Sequence, residues 1–428
     1  MAPIEDHPLR YMLTNELHAR PFPSLQTPCH AAFLAIKTPR DAVNRDRDAD
    51  RTHIIDLLDR YGAQHPKPDD THFFGQMGRY KIKWESHAEF VTYTIFAPGV
   101  AERPFDPAAW EVFPDDWLEK APGARLTSAL IRVEQLREGR EDIEDRLNEW
   151  FVADSLCASS ILEDAGIMAT DFRIDPGGHM RFAVFARPGT GQRRVGRIVQ
   201  RLTEIETYKA MSMLGLPRAR QLSARLAELD PQLTELVGEM RVGHRQPEET
   251  LRNLLAVSAE LESLLAQTAF RFSATSAYEA LVNQRIEVLR EERFGYRQTF
   301  REFMMRRYEP SMRTVKSTEA QLDSMTRRAV RAANLLRTQV DVERSAQNQK
   351  LLESMDRRAD LQLRLQRTVE GLSVVAISYY AVSLVSYMVY PLADALAVSK
   401  GLLTALLTPF VVLGVWAMVR RIRRGVEH

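Results

Sequence analysis

Cysteine is nearly absent from this chain of 428 residues, which contains only Cys29 and Cys157. Two cysteines cannot form the disulfide framework of a small secreted domain, so the bulk of the chain is expected in a reducing compartment. Charge of one sign is also lacking, because 58 basic and 57 acidic residues give a formal net charge of +1. This balance lacks the basic excess typical of nucleic-acid-binding proteins, and no nucleic-acid partner is expected.

Long apolar runs are missing from most of the chain. Residues 1–13 are charged and contain prolines, which does not fit a signal peptide. Uncharged apolar runs occur only at residues 371–393 and 401–419. Each run has about the 20 residues that a helix needs to cross a bilayer core. The pattern predicts a hairpin of two transmembrane helices joined by a short loop at residues 394–400.

Basic residues predict the orientation of this hairpin. Arg364 and Arg367 precede the first run, and four arginines follow the second within residues 420–424. The connecting loop carries only Lys400, which Asp394 offsets. Basic loops tend to stay in the cytoplasm, so the N-terminal bulk and the C-terminus are expected there. The predicted location is the inner (plasma) membrane, with membrane lipid as a partner.

The first part of the chain, residues 1–190, has the pattern of an α+β cytoplasmic domain. The turn sequence Asp175-Pro176-Gly177-Gly178 predicts a hairpin between residues 171–174 and 180–185. The order of the segments favours a mainly antiparallel sheet with helices on one or both faces. Strand patterns lie at residues 30–37, 79–84, 90–96, 127–133 and 180–185, and helical spacing lies at residues 40–61 and 141–151.

From residue 191 onwards, glycine and proline become rare and apolar residues follow the helical period. One helix is predicted from its apolar stripe at residues 195–205 and stops near residues 215–217. Further helices are predicted at residues 218–241, with an interruption at Pro231, and at 247–270 and 274–307. No proline lies between Pro310 and Pro391, which predicts a helical rod of roughly 90 Å that runs into the first apolar run. Its near-heptad apolar stripe predicts a coiled-coil stalk, within a stalk region of residues 191–370. This stalk must pack on the preceding helices or on other copies, and a homo-oligomer is expected.

Two sets of polar residues are candidate sites. In the N-terminal segment, His7, His18 and their neighbours Asn15, Glu16 and Arg20 could bind a metal or an anion, although their spacing matches no standard zinc pattern. The alternative is a polar segment that caps helices or docks on the sheet. In the predicted spans, the candidates are an acidic residue at the outer mouth and possible pore-lining residues: Asp394, Ser383, Ser386, Tyr387 and Tyr390.

No catalytic signature is present, and an enzyme is not expected. The glycines at 189, 191 and 196 do not fit a phosphate-binding loop, and Ser155 and Ser159 lack the context of a nucleophile elbow. Cys157 lies in an apolar run and is expected to be a buried structural thiol. Glu204 and Tyr208 share a helix face, where a solvated or packing role is expected.

The sequence segments at residues 7–10, 15–21, 200–208 and 368–373 resemble a bacterial family of predicted membrane-anchored proteins, a domain of unknown function. These segments are distributed over nearly the whole chain, and the resemblance implies a membrane anchor but little chemistry. The residues that carry it are Asn15, Glu16, His18, Arg20, Glu204, Glu206, Glu370 and Gly371.

The layout also resembles that of the CorA magnesium channels, in which a cytoplasmic α/β domain and a long stalk helix precede two membrane helices and a basic tail. Here the two spans are residues 371–419 and the tail is residues 420–428. The resemblance implies cation transport or gating, a divalent cation and a homo-oligomer. However, the Gly-Met-Asn motif of that family is replaced by Tyr387-Met388-Val389-Tyr390-Pro391. Two hypotheses follow: an oligomeric protein that moves or gates a cation, or a non-conducting membrane-anchored scaffold.

Overall fold

The computed structural model of this protein describes residues 4–18, 22–39, 45–68, 70–136, 140–242, 247–395 and 399–426. The chain forms two compact units. The first unit comprises Met1–His244 and Arg252–Ala332, and the second comprises Arg245–Leu251 and Ala333–His428.

A mixed β-sheet dominates the first unit. Among the described strands the order is β2-β3-β4-β1-β5-β8-β7-β6-β9, and neighbours are antiparallel except for β5 and β8. This confirms an α+β fold with a mainly antiparallel sheet. The strands are β1 Cys29–Lys37, β2 His72–Met77, β3 Tyr80–Ser86, β4 Phe90–Pro98, β5 Ala124–Gln135, β6 Cys157–Ile161, β7 Gly166–Thr170, β8 Met180–Ala186 and β9 Glu292–Arg293.

Helices cover both faces of this sheet and then form the C-terminal part of the chain. The helices are α1 Arg10–His18, α2 Arg47–Arg60, α3 Asp115–Leu118, α4 Arg140–Trp150, α5 Gln192–Met213, α6 Gly215–Val242, α7 Pro247–Glu287, α8 Phe300–Arg307, α9 Glu309–Ala395 and α10 Lys400–Val426.

Alternation along β1 shows how the sequence builds a sheet that is buried on both sides. Phe33 belongs to the core beneath α5, α7 and α8, whereas its neighbour Leu34 belongs to the core beneath α2. Successive side chains of a strand point to opposite faces, so apolar residues at both positions require cover on both faces. We call the side that packs on α5 the first face.

The predicted apolar stripe of α5 is the main contact with the first face. Its residues Val195, Ile198, Leu202 and Ile205 are at most 1% exposed. Burying a side chain of this size stabilises the fold by about 1.5–3 kcal/mol, so the stripe fixes α5 firmly against the strands. It thereby sets the position of every polar residue on the same helix.

The predicted hairpin forms with its turn at residues 175–178, but the prediction of its first strand at residues 171–174 is wrong. On this side β8 pairs with β7, and of residues 171–174 only Ile174 forms an isolated bridge with β8, at Met180. The reason is Asp171, which is buried and accepts hydrogen bonds from Arg181 and from the backbone of Val152. These bonds hold the segment as a turn, with Phe172 in the left-handed region at a φ of 51°.

Two predicted breaks in the helices are also wrong. Pro231 lies inside the continuous helix α6, and α7 runs through residues 270–274 without interruption. In α7, Phe272 is buried in the core and Arg271 forms an ion pair with Glu89, so the expected gap is a packed part of the helix. The true break follows Glu287, where the chain adds β9 to the sheet edge before the Thr299 capping box begins α8.

Among the described residues, two helices could cross a membrane by their length and composition: the part of α9 within Glu309–Val389, and Gly401–Ile422 of α10. Only 11% and 0% of their most apolar stretches are buried, which does not fit the core helices of a soluble protein. Large side chains such as Leu372, Leu384 and Phe410 are exposed along them. Exposed apolar surface of this extent fits contact with lipid.

The apolar stripe of α9 has two different environments. Leu322, Met325 and Ala329 are buried within the first unit, where Arg328 contacts Asp230 of α6 with a distance of 3.0 Å between Nη1 and Oδ1. Further along, the stripe residues Leu351, Leu352, Met355 and Leu363 are exposed. The first part of the predicted stripe therefore contributes to the core of the first unit.

The core beneath α2 contains a titratable group, His53, which is 5% exposed. Its Nε2 donates to the carbonyl oxygen of Trp117 at 3.0 Å, and its Nδ1 lies 2.8 Å from the hydroxyl of Tyr93. The ring also stacks on Trp117. Burial disfavours the charged ring and lowers its pKa from 6.5 to about 4.

This lowered pKa predicts a loss of stability in mild acid. Above pH 6.5 the ring is neutral in both states, whereas between pH 6.5 and 4 only the unfolded chain takes up the proton. The free energy of unfolding should therefore fall through that range by up to about 3 kcal/mol. Urea unfolding from pH 7 to 4.5 measures it. His53→Gln should have a lower free energy of unfolding at pH 7, but this free energy should change less with pH than in the wild type. An equally steep pH dependence in the variant would contradict the prediction.

Candidate functional site

The first face of the sheet does not meet its helices everywhere, and a cavity of about 390 Å³ remains between β3 and β4 on one side and α5 and α7 on the other. We call this cavity the sheet–helix pocket. It lies entirely within the first unit. Its volume is in the range of pockets that bind small molecules.

The strand wall of the pocket is polar. Lys83 and Glu85 of β3 lie on one face with their cross-strand partners Thr94 and Thr92 of β4. Lys83 is only 5% exposed, and its Nζ lies 3.2 Å from Oε2 of Glu85. This ion pair lacks the angles of a hydrogen bond, and Nζ has no hydrogen-bond acceptor among the described residues. A buried ammonium group without an acceptor is costly, because its hydration is lost without replacement.

The helix wall contains Gln200 and Glu204 of α5. The carboxylate of Glu204 accepts hydrogen bonds from Nε of Arg285 on α7 and, at 2.8 Å, from Nε2 of Gln200. Gln200 is 8% exposed, and its Oε1 is buried without a donor among the described residues. Leaving such an acceptor unsatisfied costs about 1–3 kcal/mol. The pocket thus contains one buried donor and one buried acceptor without hydrogen-bond partners in the part of the chain that the structure describes.

A third cation, Arg201, lies at the pocket beside α7. Its Nη1 donates a long hydrogen bond of 3.4 Å to the carbonyl oxygen of Val288. No carboxylate among the described residues lies within ion-pair distance of its guanidinium. Burial, followed by the charges of Arg197 and Arg285, lowers the pKa of Arg201, and only Glu204 opposes these effects. The positive charge at this position is therefore poorly compensated.

Aromatic rings complete the lining. The lining rings are those of Phe22, Phe33, Phe90, Phe96 and Tyr208. Phe22 comes from the segment before β1, and the guanidinium of Arg197 lies 5.2 Å from its ring centre. Leu25 ties this segment to α5, because its backbone N–H donates to the carbonyl oxygen of Gln192 at 3.1 Å. These rings give the polar pocket flat apolar walls.

A buried ion pair lies beside residues that line the pocket. Glu89, in the turn between β3 and β4, accepts hydrogen bonds from the guanidinium of Arg271 and, at 3.2 Å, from the hydroxyl of Tyr278. The ring of Tyr278 stacks on Tyr208, with ring centres 5.8 Å apart. Burial and the adjacent Glu89 raise the pKa of Tyr278. This group connects the strand wall to α7.

Three residues of the segment at 200–208, Glu204, Glu206 and Tyr208, have different roles. Glu204 lines the pocket and pairs with Arg285 of α7, which agrees with the packing alternative rather than the solvated one. Glu206 instead accepts a hydrogen bond from Thr127 of β5 at 2.9 Å and pairs with Lys209, which holds α5 to the sheet. Tyr208 lines the pocket beside Glu204.

Among the described residues, the pocket lining contains none of the other predicted site residues. His7 is exposed and its Nδ1 accepts a hydrogen bond from the backbone of Leu9 at 3.2 Å. Glu370 and Gly371 lie within α9. Within the described side chains, no three histidines, cysteines or acidic residues are grouped as metal ligands. Arg20 and the side chains of Asn15, Glu16, His18, Tyr390 and Asp394 lie outside the described parts.

The predicted pore-lining residues have different environments in α9. Ser386 is buried and its hydroxyl has no partner among the described residues, a property that it shares with Ser378. Ser383 is half-buried, and Tyr387 is 72% exposed. Their role as pore-lining residues stays a prediction.

Sequence reasoning missed Lys83, Gln200, Arg201 and Arg285. For Lys83, the sequence pattern contains a signal. Lys83 and Glu85 alternate with the apolar Ile82 and Trp84, which places charges on the opposite face of a buried strand. Gln200 and Arg201 lie in the segment at residues 200–208, where the sequence alone does not distinguish them from ordinary polar residues of a helix. Arg285 gave no signal, because only the tertiary packing of α7 on α5 brings it to Glu204.

The similarity of this sequence to a protein family extends over almost the whole chain. A family model with the description "Protein of unknown function (DUF3422)" matches residues 5–426. No curated protein matches the sequence.

Proposed function

This chain belongs to the family described as a protein of unknown function (DUF3422), and from its site we propose that it is a membrane-attached protein that binds a small molecule in the sheet–helix pocket. The observation that carries this proposal is the pair of buried groups without hydrogen-bond partners among the described residues, Nζ of Lys83 and Oε1 of Gln200. A bound molecule with an acceptor and a donor would satisfy both groups.

The composition of the lining also favours binding. Ligand pockets combine apolar and aromatic walls with a few fixed polar groups. Here the aromatic rings supply the walls, and hydrogen bonds fix the polar groups, as in the contacts of Glu204 with Arg285 and Gln200. We propose binding rather than catalysis as the role of this site, since the lining shows neither a nucleophile paired with a base nor a metal-ligand set among the described residues.

The test uses a substitution that blocks the pocket without disturbing its polar groups. Val288 lines the pocket but is 37% exposed, so Val288→Trp should fill the mouth at little cost in folding. Full-length protein purified in mild detergent should release a small molecule when it is denatured, as detected by mass spectrometry. The variant should release at least about tenfold less.

The matched control is Ala280→Trp, which adds the same ring to an exposed position of α7 outside the pocket. It should release as much as the wild type. Two results would contradict the proposal: equal release from Val288→Trp, or wild-type protein that releases nothing and is not stabilised against heat by a metabolite extract.

The mode of membrane attachment is part of the proposal. α9 and α10 contain the two stretches that could cross a bilayer, and basic residues flank them on the sides away from the loop. We propose that the loop faces outwards and that both ends of the chain are cytoplasmic.

Cysteine labelling in intact cells tests this orientation. Cys29 and Cys157 are both buried, and burial raises the pKa of each thiol, so background labelling should be low. Ser399→Cys in the loop should react with a membrane-impermeant maleimide. The exposed Ser345→Cys of α9 should react only after lysis. The reverse pattern would refute the orientation.

A further inference from the structure

The lining of the sheet–helix pocket carries one more positive charge than negative charge. Its cations are Lys83, Arg201 and Arg285, and its carboxylates are Glu85 and Glu204. Lys83 pairs with Glu85, and Arg285 pairs with Glu204. Arg201 is left with a backbone carbonyl as its partner. A partly buried charge of this kind is stabilised by an anion, so the pocket favours a ligand with a single negative charge.

The two groups that lack hydrogen bonds among the described residues, on Lys83 and Gln200, add a second requirement. Nζ of Lys83 can donate to a carboxylate oxygen, whereas Oε1 of Gln200 can only accept. A ligand that satisfies both needs an anionic acceptor and, separately, an O–H or N–H donor. Simple inorganic anions such as chloride meet only the first requirement.

The aromatic rings of the lining add a third requirement. Phe33 and Phe96 come from the sheet, Phe22 from the preceding segment and Tyr208 from α5, so flat apolar surfaces approach the pocket from several sides. Rings of this kind pack well against a planar body in stacked or edge-to-face arrangements. A flexible, highly hydroxylated sugar would not use these surfaces.

We infer that the pocket binds a small aromatic monocarboxylate that also carries a hydrogen-bond donor. This inference rests on the proposed function and specifies its ligand. A carboxylate neutralises the single excess charge, whereas a phosphate monoester carries about −1.5 to −2 at pH 7 and would leave the pocket net negative. Arg201 and Lys83 hold the carboxylate, and Gln200 accepts from the donor.

Calorimetric titration of the full-length protein in detergent tests this ligand class with four probes. The probes are 4-hydroxybenzoate, benzoate, 4-hydroxybenzyl alcohol and phenyl phosphate. We expect 4-hydroxybenzoate to bind most tightly. Benzoate, which lacks the donor, should bind about threefold to tenfold more weakly, and the neutral alcohol at least about tenfold more weakly, since a charge-assisted hydrogen bond is lost.

Arg201→Gln is the decisive variant, because Arg201 has no carboxylate partner that its removal would leave unpaired. It should weaken 4-hydroxybenzoate at least about tenfold and leave the affinity for the neutral alcohol unchanged. Arg193→Gln, an exposed arginine of α5 outside the pocket, is the matched control and should change neither affinity more than about twofold.

The outcomes separate this inference from the proposed function. Equal affinity for the neutral alcohol, or tightest binding of phenyl phosphate, would overturn the monocarboxylate. The same holds if no probe binds while a small molecule sensitive to Val288→Trp is still released from the purified protein, and the proposed function would then survive. If no probe binds, no small molecule is released and a metabolite extract does not stabilise the protein against heat, both fail.

Discussion

Replacing Glu89 by alanine is expected to lower the free energy of unfolding by about 4 kcal/mol. Its side chain is 4% exposed and pairs with Arg271, which is 14% exposed. Removing one partner of a buried pair leaves the other charge uncompensated, which typically costs about 3–5 kcal/mol. The hydroxyl of Tyr278 loses its acceptor in the same change. Urea unfolding in mild detergent, followed by near-ultraviolet circular dichroism, measures the effect.

Two comparisons show whether the cost comes from the orphaned charge. In the double variant Glu89→Leu with Arg271→Leu, both charges are removed, and much of the stability should return. Asp116→Ala removes one of the two carboxylate partners of Arg60 at an exposed position and should cost far less. If Glu89→Ala costs as little as Asp116→Ala, the pair does not fix α7 to the sheet.

Gly196→Ala is the second change with a large expected effect. A Cβ at Gly196 of α5 would lie 1.7 Å from the carbonyl oxygen of Pro23, and backbone atoms cannot yield as a side chain does. The segment before β1 must therefore leave α5 and expose Leu25, which is 4% exposed in the native protein. The expected loss is about 3 kcal/mol, opposite in sign to the gain of up to about 1 kcal/mol that helix propensity alone predicts.

Amide hydrogen exchange shows which segment is loosened in Gly196→Ala. The amide of Leu25, which donates to Gln192, should exchange at least about a hundredfold faster in Gly196→Ala. Since Phe22 lines the pocket, ligand affinity should fall as well. Gly191→Ala is the control, because a Cβ there meets no atom within 4 Å. A Gly196→Ala variant that is more stable than the wild type would show that the segment does not pack closely on α5.

The sequence predicted the fold where local patterns decide it. The β-branched and aromatic alternation of β4 and the apolar stripe of α5 both lie close to the predicted positions. The apolar runs near the C-terminus form helices that could cross a membrane. Ion transport and self-association, expected from the CorA-like layout, stay predictions.

Tertiary contacts decide the parts that the sequence could not predict. The turn after β7 depends on hydrogen bonds of Asp171 with residues that are distant in sequence, and the continuity of α7 depends on the burial of Phe272. The pocket is a stronger example. Lys83, Gln200 and Arg285 lie on three different elements, and each one alone looks like an ordinary polar residue. Only the packing of α5 and α7 on the first face makes them a site.

The two-residue strand β9 has a consequence for the order of events during synthesis. Ser160 of β6 pairs with Glu292, so the sheet edge is completed only after α5, α6 and α7 have been translated. Until then β6 presents open hydrogen-bonding groups on which another chain could assemble. The apolar helices emerge last. Slow translation between β6 and β9 should therefore increase aggregation of nascent chains, and chaperone capture should peak in that interval.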